Sequence, residues 1–262
     1  MSEAVTYGKY LKLDELLSLQ QPRDRMEHDE MLFIVIHQVY ELWFKEVLHE
    51  LDYACVLLRE EGDAARAQHT LFRVLKVLKV LVAQLDVLET MTPTEFLTFR
   101  EHLDRASGFQ SDQFRALEFV LGRKRRESVE RFDEGTRART ALEARWNEPT
   151  LWDAFLHYLA GEGYGVPEDQ LARDPVATIE PSPALQDVLL EIYRRDSKNA
   201  QLCEHFVDLD EGLQEWRYRH VKMVERTIGS KTGTGGSAGS TYLHSTFDQP
   251  LFPDLWEIRA RL

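Results

Sequence analysis

Leu32-Phe33-Ile34-Val35-Ile36-His37-Gln38-Val39-Tyr40-Glu41-Leu42-Trp43-Phe44-Lys45-Glu46-Val47-Leu48-His49-Glu50-Leu51 places apolar side chains at Phe33, Ile36, Tyr40, Phe44, Val47 and Leu51, and the pattern runs on to Leu58. A repeat of three to four residues follows the turn of an α-helix and gathers these side chains on one face. Strands alternate with period two, and no alternating run of useful length occurs in the chain. A second helical stripe passes through Leu71, Leu75, Leu78, Leu85 and Leu88. Thr92-Pro93-Thr94-Glu95 reads as a helix start, with Thr92 as N-cap, proline at the first helical position and Glu95 closing a capping box. Helix is expected from there to about His102.

Ser107-Gly108-Phe109-Gln110-Ser111 interrupts the pattern, and Asp112 to Leu121 resumes it until Gly122. The polar stretch from Arg123 to about Glu148 is expected at the surface. Pro149 is expected to open a short helix holding Trp152, Phe155 and Leu159, and Gly161 to Pro183, rich in Gly and Pro, reads as loop. The last long pattern, Leu185 to Ile228, carries Leu202, Phe206, Leu209, Leu213, Trp216 and Val224 on one face, with a break near Ser197-Lys198-Asn199. No internal repeat is present. The expected fold class is therefore all-α, a helical bundle in a single domain over residues 1–262, with functional groups projecting inward from facing helices.

At 262 residues with 43% hydrophobic and 10% aromatic content, the chain can bury a full core. Its formal net charge of −13 argues against nucleic acid and anionic membrane surfaces as partners. Arg123-Lys124-Arg125-Arg126 is the local exception, and after Gly122 it reads as cationic decoration of a helix end. Met1 to Tyr10 show no basic segment leading into an apolar stretch, and no window approaches the roughly 18 apolar residues of a membrane span. A cytoplasmic location is the resulting expectation. The two cysteines, Cys55 and Cys203, form no CxxC pair, and both read as core thiols.

Of nine histidines, two fall on apolar faces: His37 one turn after Phe33, and His220 one turn after Trp216. Either alone reads as a satisfied core histidine. Two on separate helices of a bundle raise another possibility, because imidazole is the usual axial ligand of haem in an apolar pocket. Glu46-Val47-Leu48-His49 matches half of a di-iron signature, but the second copy is absent and the pair lies off the apolar stripe, so solvated surface is the better reading. Arg100 reads as a surface charge unless it faces the pocket, where its planar fork would suit a substrate carboxylate. Gly229-Ser230-Lys231-Thr232-Gly233-Thr234-Gly235-Gly236-Ser237-Ala238-Gly239 does not match a phosphate loop. It reads either as a linker or as a mobile lid offering hydroxyls to a polar ligand.

Several motifs occur together in order: Asp29-Glu30-Met31-Leu32-Phe33-Ile34-Val35-Ile36-His37-Gln38 with Glu41-Leu42-Trp43, then Phe99-Arg100, Ser107-Gly108-Phe109-Gln110-Ser111, Trp216-Arg217-Tyr218-Arg219-His220 and Lys231-Thr232-Gly233-Thr234-Gly235-Gly236-Ser237. With them the chain resembles the tryptophan 2,3-dioxygenase family, from Tyr7-Gly8-Lys9-Tyr10-Leu11 to Phe252-Pro253-Asp254-Leu255-Trp256. The resemblance implies the fold of tryptophan and indoleamine dioxygenases and one haem b per subunit, active as Fe(II). It also implies addition of both atoms of O2 across the indole C2–C3 bond of L-tryptophan to give N-formylkynurenine. His220 matches the proximal iron ligand, His37 the distal catalytic histidine that meets the indole N–H, and Ser107 a serine near the haem edge. Arg100 matches the carboxylate-binding arginine, Thr234 a loop threonine on the substrate's ammonium and carboxylate, and Phe33 a wall of the indole pocket.

Family members are homotetramers whose N-terminal segment reaches a neighbour's site. That implies an arm over residues 1–20 placing Tyr7, Tyr10 and Leu11 against another subunit's substrate, and an active-site loop over residues 229–240. The chain departs from the family at Phe96, where some members have tyrosine, and the region from Arg123 to Asn147 shows no motif by which to align it. Two rival readings follow: a tailoring haem oxygenase of secondary metabolism acting on a substituted tryptophan, and a non-catalytic haem or O2 sensor. A sensor has no need of groups that recognise an amino acid.

Overall fold

Every element of the computed structural model is a helix or helical turn, and it describes residues 4–104, 106–229, 231 and 249–262. In chain order the helices are α1 (Tyr7–Leu11), α2 (Leu13–Leu16), α3 (His28–Val56), α4 (Ala64–Leu88), α5 (Pro93–Phe99), α6 (Asp112–Val120), α7 (Arg126–Glu130) and α8 (Arg137–Trp146). They continue as α9 (Leu151–Gly161), α10 (Glu168–Leu171), α11 (Pro183–Arg195), α12 (Ser197–Ile228) and α13 (Pro253–Glu257). A π-helical turn, Leu57–Glu61, prolongs α3, and 3-10 turns occupy Arg100–Leu103 and Gly108–Gln110. No strand occurs among the described residues.

The frame is three long helices, with α4 packed between α3 and α12. Ile36, Tyr40, Phe44, Val47 and Leu51 are all buried, so the periodicity of α3 is the face it turns to the core. On α4, Leu71, Leu78, Leu85 and Leu88 do the same. Helix α6 lies on α3 with α8 beyond it, while α11 and α13 close over α12. A second aromatic knot, Trp152, Phe155, Phe206 and Phe252, is fully buried and joins α9 to α12 and to the segment leading into α13.

Helix ends follow local chemistry. The Thr92–Glu95 capping box is formed, with proline in the first turn of α5. Gly122 ends the segment after α6 at φ +88°, a conformation that only glycine adopts without strain, and a Cβ there would meet Ile179 at 2.5 Å. The expected break before α12 is Asp196, extended at φ −130° and accepting the backbone N–H groups of Lys198 and Asn199. No helix of the described residues is long and apolar enough to cross a membrane.

Three expectations need correction. Residues 123–148 are not simply polar surface: they form α7 and α8, which bury Val129 and Leu142 completely. The run Arg123–Arg126 does not decorate the end of its own helix. Lys124 donates instead to the carbonyls of Trp146 and Glu148 at the end of α8, and Arg125 pairs with the buried Glu118. Burial pushes the Lys124 ammonium down to about 8. Finally, α9 starts after Thr150 rather than at Pro149, because Thr150 and Asp153 form a buried capping box.

Candidate functional site

The periodicity that builds α3 also leaves one end of its inner face uncovered. Phe33, His37, Tyr40, Glu41 and Phe44 line a cavity of about 580 Å³ there, a size typical of small-molecule and cofactor sites. Helix α12 faces them with Trp216, Arg217 and His220. Phe96 on α5, Arg100 in the following turn and Ser107 before the next turn complete the rim, and α6 adds Phe114, Arg115 and Glu118. Five residues singled out in the sequence, Phe33, His37, Arg100, Ser107 and His220, thus meet in one cavity although 187 positions separate the first from the last.

His37 sits on Phe33, with 4.0 Å between ring centroids, and its Nδ1 lies 2.7 Å from the Phe33 carbonyl oxygen. A carbonyl can only accept, so Nδ1 carries the proton and Nε2 is left as an acceptor. His37 lines the cavity, and desolvation by the protein around it lowers its pKa, against smaller opposing effects of the Phe33 carbonyl and Glu41. His220 is pushed down to about 4, first by burial and then by the nearness of His37. Both imidazoles are therefore neutral near pH 7. Phe33 and Phe96 line the cavity with Phe99 packed behind them, the three centroids 5.5–6.0 Å apart, which makes this part of the cavity aromatic.

The opposite character appears where α6 meets α12. Glu118, almost fully buried, accepts from Arg115 at 2.6 Å, Arg125 at 3.0 Å and Arg217 at 3.1 Å. Burial pushes the Arg217 guanidinium down to about 10; Glu118 opposes this, and the neighbouring arginines reinforce it. Three guanidiniums around one carboxylate leave this wall positively charged, suited to an anionic group. The sequence reading missed this network. Its signal was present, a lone acid inside Ala116-Leu117-Glu118-Phe119-Val120 with an arginine run just beyond, but Arg217 lies 99 residues from Glu118.

Ser107 has a local role besides lining the cavity, and the remaining assignments fall elsewhere. Ser107 caps the turn 108–110, its Oγ accepting from the Phe109 N–H at 3.4 Å. Tyr7, Tyr10 and Leu11 are exposed and do not line the cavity of their own chain. Thr234, with most of the expected 229–240 loop, lies outside the described residues. His49 is exposed and Glu46 only half-buried. Cys203 is buried and Cys55 half-buried, and burial raises both thiols, Cys55 to about 12.

Two facing imidazoles, an aromatic end and a cationic wall are a restrictive combination, and comparison with known proteins agrees with it. The sequence profile of the family described as tryptophan 2,3-dioxygenase matches residues 1–150 and 182–262. A tryptophan 2,3-dioxygenase of Herpetosiphon aurantiacus is 58% identical over 263 residues, covering 100% of both chains. One from Anaeromyxobacter sp. is 55% identical, covering 100% of this chain and 97% of its own, and one from Caulobacter vibrioides is 45% identical over 100% of both. With a profile match over most of its length and relatives this similar from end to end, the chain belongs to the tryptophan 2,3-dioxygenase family.

Proposed function

We propose that the protein opens the indole ring of L-tryptophan with O2, giving N-formylkynurenine, and that the cavity between α3 and α12 is its active site. The observation that carries this reading is the His37–Phe33 contact. It leaves a neutral imidazole with Nε2 as an acceptor on an aromatic wall, which is what an indole ring with one N–H donor requires.

The residues present fit a haem. His220 is a neutral imidazole in the cavity wall, the form that binds iron, and it would be the ligand. The guanidiniums of Arg115, Arg125 and Arg217 supply the positive charge that two propionates would need, and Ser107 stands on the same rim. When bound, one haem b per subunit in its Fe(II) form supplies O2 binding and the oxidation itself.

The chain's own residues supply aim and exclusion of water. Phe33 and Phe96 enclose an indole ring, with Phe99 packed behind them, and His37 Nε2 accepts its N–H. Arg100 offers a planar fork to the substrate carboxylate, so the ring is held at both ends and its C2–C3 bond is presented in one orientation. Phe96 offers no hydroxyl, which leaves the carboxylate to Arg100 on this side. An amino-acid clamp of this kind has no use in a gas sensor.

The test is the product formed from L-tryptophan and 18O2 by the reduced, haem-loaded protein. N-formylkynurenine carrying both labelled atoms is expected. A product with one labelled atom, or turnover only with a substituted tryptophan, would overturn the reading.

The protein acts as a cytoplasmic homotetramer in this proposal, with residues 1–20 reaching a neighbouring subunit. Tyr7 and Tyr10 are 75% and 78% exposed and Leu17 is 70% exposed, an apolar surface that a lone chain leaves in water. Deleting residues 1–12 is expected to weaken assembly and raise the KM for tryptophan together, while haem is retained. Sedimentation and steady-state kinetics check this, and a truncated tetramer with unchanged KM would remove the arm from the site.

A further inference from the structure

Metal-bound histidines almost always donate their second ring N–H to a carboxylate, a carbonyl or water, which sets the orientation of the ring. The His220 imidazole makes no hydrogen bond to a described side chain or carbonyl. The torsion that turns an imidazole about its stem is broad, so it does not set the ring plane either. What meets the ring is Trp216, one turn earlier on α12: the two rings are stacked, 5.3 Å apart and 12° from parallel.

Trp216 is itself held from three directions. Phe114 on α6 lies 5.0 Å away, Phe44 on α3 meets it edge-on at 6.1 Å, and Tyr40 on α3 at 6.4 Å. Tyr40 is anchored in turn, its hydroxyl donating to the Leu81 carbonyl of α4 at 2.7 Å. The indole is 8% exposed, and its N–H has no hydrogen-bond acceptor among the described residues. Packed this way, the indole ring lies flat against His220.

We propose that Trp216 is a positioning residue for the His220 ligand, fixing the imidazole plane by face-to-face stacking. The proposal rests on the reading above, that His220 holds the iron. It assigns the box of Tyr40, Phe44 and Phe114 the task of keeping one orientation of that ligand.

The test uses the ferrous, substrate-free holoprotein. Resonance Raman reads the iron–histidine stretching band, and transfer of haem to apomyoglobin reads its release. In Trp216→Leu the band is expected to broaden or split and haem release to accelerate on the order of 10-fold, the scale on which groups that orient metal ligands act. Trp216→Phe, which keeps a ring in the box, should show a smaller change of the same kind and carries the test if the leucine variant fails to fold. Phe155→Leu loosens the core in the distant aromatic knot and should lower the melting temperature without altering the band. A band and release rate like wild type in both Trp216 variants would overturn the proposal, and so would equal broadening in Phe155→Leu. His220→Ala separates the two levels: loss of the band leaves the ligand assignment standing whatever Trp216 does, and its persistence would sink both.

Discussion

His220→Ala is expected to abolish stable haem binding and with it all turnover. The cavity keeps its aromatic end and its cationic wall in this variant, so whatever haem still enters is held by packing and charge alone. Loss of the ligand itself should exceed the roughly 10–100-fold cost of disturbing a group that merely orients one. His37→Ala is the informative contrast. It removes the acceptor for the indole N–H but leaves His220 intact, so haem should be retained while kcat/KM falls. Haem content after gel filtration, read against the absorption spectrum, checks both. If the alanine at 37 lost haem and the alanine at 220 kept it, the roles of the two histidines would be reversed.

Arg100→Lys is the second large effect, despite the conserved charge. Lysine offers a flexible point charge where arginine offers a fixed planar fork, and only the fork can hold a carboxylate by two parallel hydrogen bonds. A loss of about 1–3 kcal/mol in transition-state binding follows for a charge-assisted hydrogen bond, roughly 5- to 150-fold in kcat/KM. The loss should be specific to substrates bearing the carboxylate, because an orienting contact contributes only where its partner exists. Kinetics with tryptophan and with tryptamine make the comparison. Equal losses for the two would show that Arg100 does not meet the carboxylate.

The helical frame was legible because its signal is local. The stripe in α3, the capping box at Thr92 and the break before α12 each depend on residues within a turn or two of one another. The two histidines stood out for the same reason, as titratable groups on apolar faces. Helices α7 and α8 escaped notice because each buries so little, Val129 in one and Leu142 in the other, and polar neighbours mask so short a stripe. Arg123–Arg126 was misread because a charge run looks solvated until its partners are known, and Glu118, Trp146 and Glu148 are supplied by other segments.

The sequence by itself determined that the chain is all-α, which stretches form its long helices, and which residues were candidates for chemistry. These are consequences of the 3.6-residue turn and of capping groups, which act over a few residues. Only the tertiary structure decided that Phe33, His37, Arg100, Ser107 and His220 share one cavity, that His37 keeps its proton on Nδ1, and that three arginines share Glu118. It also decided that Trp216 stacks on His220 within a box drawn from α3 and α6. Each of these is set by how separate helices cross and at what depth they bury a group. A buried charge or ring takes its state from neighbours that the chain supplies from far along its length.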